Sequence, residues 1–470
     1  MARDRGWTLA SSRPSGYLIP MRVHLIGIGG VGMSAIAQAL LDRGDTVSGS
    51  DRLWRADAAD PGPVFSVLRA AGARLYPQDG SAIVPDLDLV VASSAIESGN
   101  PDLDAAARAG LPVVPRAEML ARLVEGRRLI AVAGTAGKTT VTGMIGWLLE
   151  SLHGDPLVVN GGELVSWSGP HRLGSVRVGA GRWAVVETDE SDRSLLRFHP
   201  SWAVITNISK DHFTPDEVER LFRSFAEQTT EGIVAGPETM ARLSPAGGPA
   251  RRVMAPELTD VEFGPDGVRF RYRSRPGRVA MPGRHNAENA RLVLALGEAL
   301  GMDLDTALSA LAEFQGVRRR LELIGHVRLR PAGAVPVFDD YAHNSAKIAA
   351  SWAAIAGGAQ RVLGVWRPHG FAPLALSFDE LIEVFLHVPR PQDRIFLLPV
   401  YYAGGTARGS KTADDLARAL RERGRDVRLV SDYDDLEAIL RAEMTEGDAV
   451  LVMGARDPEL PAFCRRLAKG

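Results

Sequence analysis

The chain has 470 residues, 45% of them apolar, which exceeds what one hydrophobic core accommodates and calls for two or three domains. Lys and Arg number 55 against 57 Asp and Glu, without a long run of one sign, which argues against a nucleic-acid or anionic-membrane surface and requires any anionic ligand to be met locally. The single cysteine, Cys464, excludes an internal disulfide and a cysteine metal cluster, and no apolar run reaches membrane-spanning length, so a cytoplasmic protein is expected.

Residues 1–20 are basic but lack a continuous apolar core, so they read as a flexible extension rather than a signal peptide, with Met21 an alternative start. MRVHLIGIGGVGMSAIAQALLDRGDTVSGSD, from Met21 to Asp51, then reads as strand, glycine turn, helix and strand: one βαβ unit. Gly27, Gly29 and Gly32, with Gly30 between them, have the G-x-G-x-x-G spacing that allows a tight turn, close approach to phosphate and close helix packing. Asp51 ends the next strand, where an acid meets a ribose hydroxyl. Taken alone this favours a dinucleotide, but a diphosphate on a helix N-terminus poses the same chemical problem whether nicotinamide or a sugar lies beyond it. The bland alternative is a glycine turn that merely joins strand to helix. LDLVVASSAI, NPDLDAAARAG and LPVVPRAEMLARLV continue as strand, helix, strand and helix, and a parallel sheet covered by helices accommodates them.

From Arg127 the pattern restarts with RLIAVAGTAGKTTVTGMIGWLLESL, again strand, loop and helix. Val132 stands where a full G-x-x-x-x-G-K-[ST] loop has its first glycine, but GTAGKTT remains: Gly134, Thr135, Gly137 and the following amides to cradle phosphate, Lys138 to neutralise it, and Thr139 or Thr140 to offer magnesium a hydroxyl. ATP binding follows. ETDESD and TNISKDH end the next two strands, placing Glu187, Asp189, Glu190, Asp192, Asn207, Asp211 and His212 where magnesium ligands reach phosphates; singly, each is an ordinary loop residue. A Gly- and Pro-rich stretch from Gly236 to Gly283 reads as a small β-rich insertion before the helix HNAENARLVLALGEALG. A third α/β unit begins near Arg319, with strands VPVFDDYAH, RVLGVWRP, RIFLLPV and DAVLVMGAR separated by helices.

HLIGIGGVGMSAIA with SGSD, GTAGKTT, ETDESD, TNISKDH, GRHNAENA, GVRRRLE and DDYAH, in this order from about Arg22 to Arg456, resemble the Mur ligases, which build the peptide stem of bacterial cell-wall precursors. The resemblance is strongest to the members that add L-alanine to UDP-N-acetylmuramate. It implies an α/β fold of three domains: a Rossmann-like UDP-sugar domain at 21–126, a phosphate-loop ATPase-like parallel sheet at 127–318, and a Rossmann-like domain at 319–470 that brings the amino acid and closes on ATP. It implies ATP and Mg2+ as cofactors, an acyl phosphate intermediate, and a monomer or homodimer working on UDP-N-acetylmuramate and an amino acid or short peptide, with no nucleic acid or membrane partner.

Carried over position by position, Lys138, His212 and His343 are catalytic and Gly27, Gly29, Gly30, Gly32 and Asp51 bind the UDP-sugar. Gly134, Thr135, Gly137, Lys138, Thr139, Thr140, Asn289, Arg320 and Asp340 bind ATP, and Thr139 or Thr140, Glu187 and His212 are metal ligands. His285 and Asn286 stand beside Asn289 as assistants. Three departures stand out. Ala136 replaces the His or Asn usual inside the loop, Asn344 replaces a second histidine after His343, and Gly370 and Pro373 stand where alanine-adding members carry arginines after the Pro-His pair. Glycine and proline cannot form the two-point ion pair that grips a carboxylate, and Arg367, just before the pair, is the nearest substitute. The acceptor alternatives are therefore a tripeptide, as in cell-wall recycling, or an amine of secondary metabolism. A nicotinamide-dependent oxidoreductase would use GIGGVG and Asp51 but leave GTAGKTT unexplained, and a binding module would keep ATP while having lost ligation.

Overall fold

A computed structural model describes residues 20–57, 61–93, 96–190, 193–208, 214–243, 248, 250–264, 266–330, 332–402 and 411–469. The chain forms two compact units. One holds the described residues up to Glu257 together with Asn289–Phe314; the other holds Leu258–Glu288 and the described residues from Gln315 onward.

The first unit contains two sheets. β1 (Arg22–Ile26), β2 (Thr46–Ser50), β3 (Arg74–Tyr76), β4 (Leu89–Ala92) and β5 (Val113–Pro115) are parallel in the order β3-β2-β1-β4-β5. The order reverses beside β1, so a crevice opens at the carboxyl ends of β1 and β4, where such sheets take ligands. The helices α1 (Val31–Arg43), α2 (Pro63–Ala70), α3 (Pro101–Arg108) and α4 (Arg116–Val124) connect the strands. β1 reads as an almost continuous apolar run because both faces are covered: Val23, Leu25 and Ile26 are fully buried.

The second sheet has β6 (Arg128–Ala133) near its centre, followed at once by helix α5 (Lys138–Ser151). β7 (Leu157–Val159), β10 (Val176–Arg177), β11 (Trp183–Glu187), β12 (Trp202–Ile205), β13 (Gly232–Ala235) and β14 (Arg251–Met254) complete the order β10-β7-β11-β6-β12-β13-β14, in which only β10 is antiparallel. A small hairpin, β8 (Ser168–Gly169) with β9 (Arg172–Leu173), precedes β10. One hydrophobic cluster runs through both sheets of this unit, from Val23 and Leu40 to Val186 and Phe222.

The Gly- and Pro-rich stretch is divided: its first part forms the helix Pro237–Leu243 and β14 of the first unit, and only its later part, in the second unit, folds as an antiparallel sheet of β15 (Thr259–Gly264), β16 (Gly267–Tyr272) and β17 (Arg275–Val279). β18 (Glu322–Arg328), β19 (Ala334–Asp340), β20 (Arg361–Arg367), β21 (Arg394–Leu397), β22 (Val427–Leu429) and β23 (Asp448–Gly454) form a sheet in the order β18-β19-β23-β20-β21-β22, parallel except for β18. Separate clusters cover its two faces, one around Trp352, Trp366 and Phe385, the other around Val450, Leu460 and Phe463. Among the described residues, no helix is long and apolar enough to cross a membrane.

Candidate active site

The first glycine turn is a helix start without a side-chain cap. Gly30 is the N-cap of α1 and offers nothing to the first amides, which are left for a ligand. α3, by contrast, is capped by Asn100, whose side chain accepts from the Asp102 and Leu103 amides. Gly29 must be glycine because of what crowds it: a Cβ there would lie 2.7 Å from the Phe65 ring and 2.9 Å from Asp51 Oδ2. Asp51 is buried at the end of β2, and its Oδ2 accepts from the Gly29 amide at 2.9 Å while Oδ1 accepts from the Leu53 amide at 2.9 Å. It therefore braces the turn. Arg116, at the start of α4, packs on Gly32, with Nη1 2.9 Å from where a Cβ would sit; nothing in the sequence motif pointed to it.

The second turn repeats the device. α5 starts at Lys138 with Gly137 as a left-handed N-cap and no capping side chain. Gly134 has φ +134°, and a Cβ would strike Thr206 Oγ1. Asn207, at the end of β12, closes the loop from outside. Its Oδ1 accepts from Thr135 Oγ1 at 2.6 Å and the Ala136 amide at 3.0 Å, and its Nδ2 donates to the Ala136 carbonyl at 2.9 Å. Asn289 flanks the loop, its Oδ1 2.7 Å from a Cβ placed on Gly137.

Lys138 Nζ donates to the Gly134 carbonyl at 2.6 Å and pairs with Glu190 Oε2 at 2.7 Å, both side chains being largely buried. Thr139 Oγ1 is 3.2 Å from Glu187 Oε1, and Glu187 Oε2 accepts from the Gly161 amide at 2.7 Å. Both threonines are buried, and Thr139 is the one joined to a strand-end carboxylate. A hydroxyl beside a carboxylate fits the hard oxygen preference of Mg2+, which takes few protein ligands and fills its shell with phosphate oxygens and water. Among the described residues, no group of three or more His, Cys, Asp or Glu could hold a metal. Asp192, Asp211 and His212 lie outside the described residues.

In the second unit, Asp340 ends β19 fully buried, its oxygens accepting from the Leu321 and Ala342 amides at 2.7 Å each. Burial pushes its carboxyl up from the ordinary range, and Arg320 opposes that rise. The Arg320 guanidinium lies 5.4 Å from the Tyr341 ring centre. Asp340 is thus a brace beneath the Arg320–Leu321 turn. Asp339, beside it, pairs with Arg319 at 3.3 Å, and burial raises its carboxyl to about 6.

His343 Nδ1 lies 2.9 Å from the Tyr341 carbonyl, which assigns the ring proton to Nδ1 and leaves Nε2 as acceptor. Burial first, then Lys347, lowers its pKa to about 4, so the ring is neutral at pH 7. Asn344 caps the following helix, Ser345–Ala356, accepting from the Lys347 amide at 3.0 Å. Arg367 does not stand in for the missing arginines: it is committed to Asp457 at 2.6 Å and Tyr433 at 2.9 Å. His285 is exposed, and Asn286 Nδ2 donates to the Pro282 carbonyl at 2.8 Å, a local anchor.

The sheets, with α1 and α5 each following a strand through an uncapped glycine turn, define a multi-sheet α/β protein of the phosphate-loop type. Family models for the Mur ligase catalytic domain, the Mur ligase middle domain and the Mur ligase glutamate ligase domain match residues 22–128, 132–225 and 319–456. The chain belongs to the Mur ligase family, whose members are ATP-dependent, amide-forming ligases. The UDP-N-acetylmuramate–L-alanine ligase of Agrobacterium fabrum is 36% identical over 464 residues, covering 92% of this chain and 93% of that protein. The enzyme of the same name from Xanthomonas campestris pv. campestris is 38% identical over 462 residues, 93% of each. Among solved structures, the UDP-N-acetylmuramate-alanine ligase of Thermotoga maritima superposes with a TM-score of 0.77 at 26% identity, covering 96% of this chain and 98% of that one. A murein peptide ligase from Psychrobacter arcticus shares the fold at a TM-score of 0.66 and 22% identity, covering 96% and 98%.

Proposed function

We propose that this chain joins an amino acid, L-alanine first, to the carboxylate of UDP-N-acetylmuramate in peptidoglycan precursor synthesis, consuming ATP and releasing ADP and phosphate in the cytoplasm. The observation that carries the reading is that α1 and α5, in one compact unit, each follow a parallel strand, β1 and β6, directly through a glycine turn with no capping side chain. A protein needs two such cradles when two phosphate-bearing substrates must be held together.

Gly27, Gly29, Gly30 and Gly32 hold the UDP diphosphate, with Asp51 fixing the turn that presents them. Gly134 to Thr140 hold the triphosphate of ATP, with Lys138 exchanging Glu190 for phosphate. Asn289 meets the adenine, a role supported by its place beside Gly137, and Arg320 and Asp340 are the remaining nucleotide contacts that the family resemblance implies. Thr139 and Glu187, with His212 for a second ion, hold Mg2+, which when bound offsets phosphate charge.

The sugar carboxylate attacks the γ-phosphorus and the bond to ADP breaks, giving an acyl phosphate. The acceptor amine then attacks the acyl carbon, loses a proton, and phosphate departs. Because a carboxylate is a poor electrophile and repels ATP, charge neutralisation by Lys138 and positioning supply most of the rate. The neutral His343, with Nε2 as acceptor, suits removal of the amine proton.

A second reading, a peptide acceptor, is favoured by Gly370 and Pro373 and by the commitment of Arg367 to Asp457. Phosphate release with ATP, UDP-N-acetylmuramate and a panel of amino acids and the stem tripeptide tests both. L-Alanine is expected to give the highest kcat/KM, and Lys138→Ala to abolish turnover; folded protein that releases no phosphate with any acceptor would refute ligation.

A further inference from the structure

The carboxyl edge of three neighbouring strands in the second unit carries cations to which the scheme above gives no acceptor role. β19, β23 and β20 run parallel, with Asp340 opposite Met453 and Arg367 opposite Gly454. Tyr341–His343, Pro368–His369 and Ala455–Arg456 therefore leave the sheet along one edge. The His343 and His369 rings meet edge-on with centres 5.1 Å apart. Lys347 sits in the first turn of the Ser345–Ala356 helix, and both Lys347 and Arg456 act electrostatically on His369, opposing its protonation after burial has already done so.

Three nearby acids are engaged. Asp340 is held by two backbone amides, Asp457 by Arg367 and Tyr433, and Glu380 accepts from Ser345 Oγ at 2.8 Å.

Arg456 is the conformational outlier among them. It follows β23 with φ +63°, the left-handed region that L side chains adopt at a cost and that clusters at functional sites. Its side chain is exposed, and among the described residues it makes no hydrogen bond or ion pair. An exposed guanidinium with no ion pair among the described residues is free to take a planar anion, since its fork matches a carboxylate by two parallel hydrogen bonds.

We infer that Arg456 grips the carboxylate of the incoming amino acid, taking the place of the arginines that Gly370 and Pro373 lack and that Arg367 cannot supply. The inference rests on the ligase reading. The carboxylate is the one charged group of a neutral amino acid left to hold once the amine has been deprotonated for attack, and His343, the proposed proton acceptor, lies on the same edge.

The test compares wild type, Arg456→Gly and Arg456→Lys in phosphate release at saturating ATP and UDP-N-acetylmuramate, with L-alanine and with L-alaninamide, which has the amine but no carboxylate. Glycine suits the left-handed backbone, so Arg456→Gly keeps or raises Tm while removing the cation. It is expected to raise KM for L-alanine by about tenfold or more with kcat changed by less than about threefold, to leave L-alaninamide unaffected, and so to erase the preference for alanine. Arg456→Lys restores part of that preference. An unchanged alanine-to-alaninamide ratio in Arg456→Gly overturns the inference, as does a rise confined to the KM for ATP, which would assign Arg456 to the nucleotide. Wild type inactive with every acceptor instead overturns the ligase reading, and this inference with it.

Discussion

Asn207→Ala is the sharpest probe of the phosphate loop. The Asn207 side chain makes three hydrogen bonds to Thr135 and Ala136, at 2.6, 3.0 and 2.9 Å. Each is partly exposed, so about 0.5–1 kcal/mol apiece is reasonable, and the set holds the loop in its cradle shape by about 1.5–3 kcal/mol. If the loop must hold that shape to bind, the variant divides the competent population by the same factor, and the Kd for ATP rises by about 10- to 100-fold. Isothermal titration with a non-hydrolysable ATP analogue measures it directly, with the KM for UDP-N-acetylmuramate as control, because Asn207 touches only the second cradle. A Kd within about twofold of wild type in a folded variant would show that the loop keeps its shape without the clamp.

Three further outcomes are expected. Glu190→Gln removes the carboxylate paired with Lys138, so Tm without nucleotide should fall by several degrees while the stabilisation by ATP grows, since phosphate no longer displaces an anion; thermal shift with and without ATP reads both. Gly29→Ala drives a Cβ to 2.7 Å from Phe65 and 2.9 Å from Asp51, and steady-state kinetics should show a KM for UDP-N-acetylmuramate raised by about tenfold or more with the KM for ATP unchanged. Burial lowers the pKa of His24, between Ser48 and Ser50, from 6.5 to about 4. Between those values the unfolded chain binds a proton that the folded chain does not, so stability is full above pH 6.5 and declines as pH falls toward 4, by about 3 kcal/mol at the limit. His24→Asn should flatten the fall of Tm over that window.

Much of this architecture is legible in local patterning. β1, β6 and β12 are short apolar runs closed by glycine or polar residues, and each became a parallel strand whose carboxyl end carries candidate chemistry. The cradles were legible because their glycines answer a local demand, such as the φ of Gly134. What stayed hidden depends on partners far along the chain. Arg367 looked available in WRPHG because Asp457 and Tyr433, which occupy it, are 90 and 66 residues away. Asn207 read as one more polar residue at a strand end, since only the adjacency of β12 and β6 brings it to Ala136. Asp340 read as a nucleotide contact alone; that its oxygens also accept from the Leu321 and Ala342 amides was not legible in DDYAH.

The departures from the family pattern make physical sense together. Where Ala136 offers the loop no side chain, Asn207 supplies one from the neighbouring strand, so the backbone cradle keeps its shape. Where a second histidine is missing, Asn344 spends its side chain capping the helix that carries Lys347. An asparagine at an N-cap is worth about 1 kcal/mol to the helix, which a histidine there would not provide. The helix start is thereby satisfied by the protein itself and closed to a ligand, unlike those of α1 and α5. The helix starts of α1 and α5 keep their amides free of side-chain caps, while the carboxyl edge of β19, β23 and β20 presents the side-chain cations Lys347 and Arg456. A change of amine acceptor would therefore be read by residues such as Arg456, with the two phosphate sites left untouched.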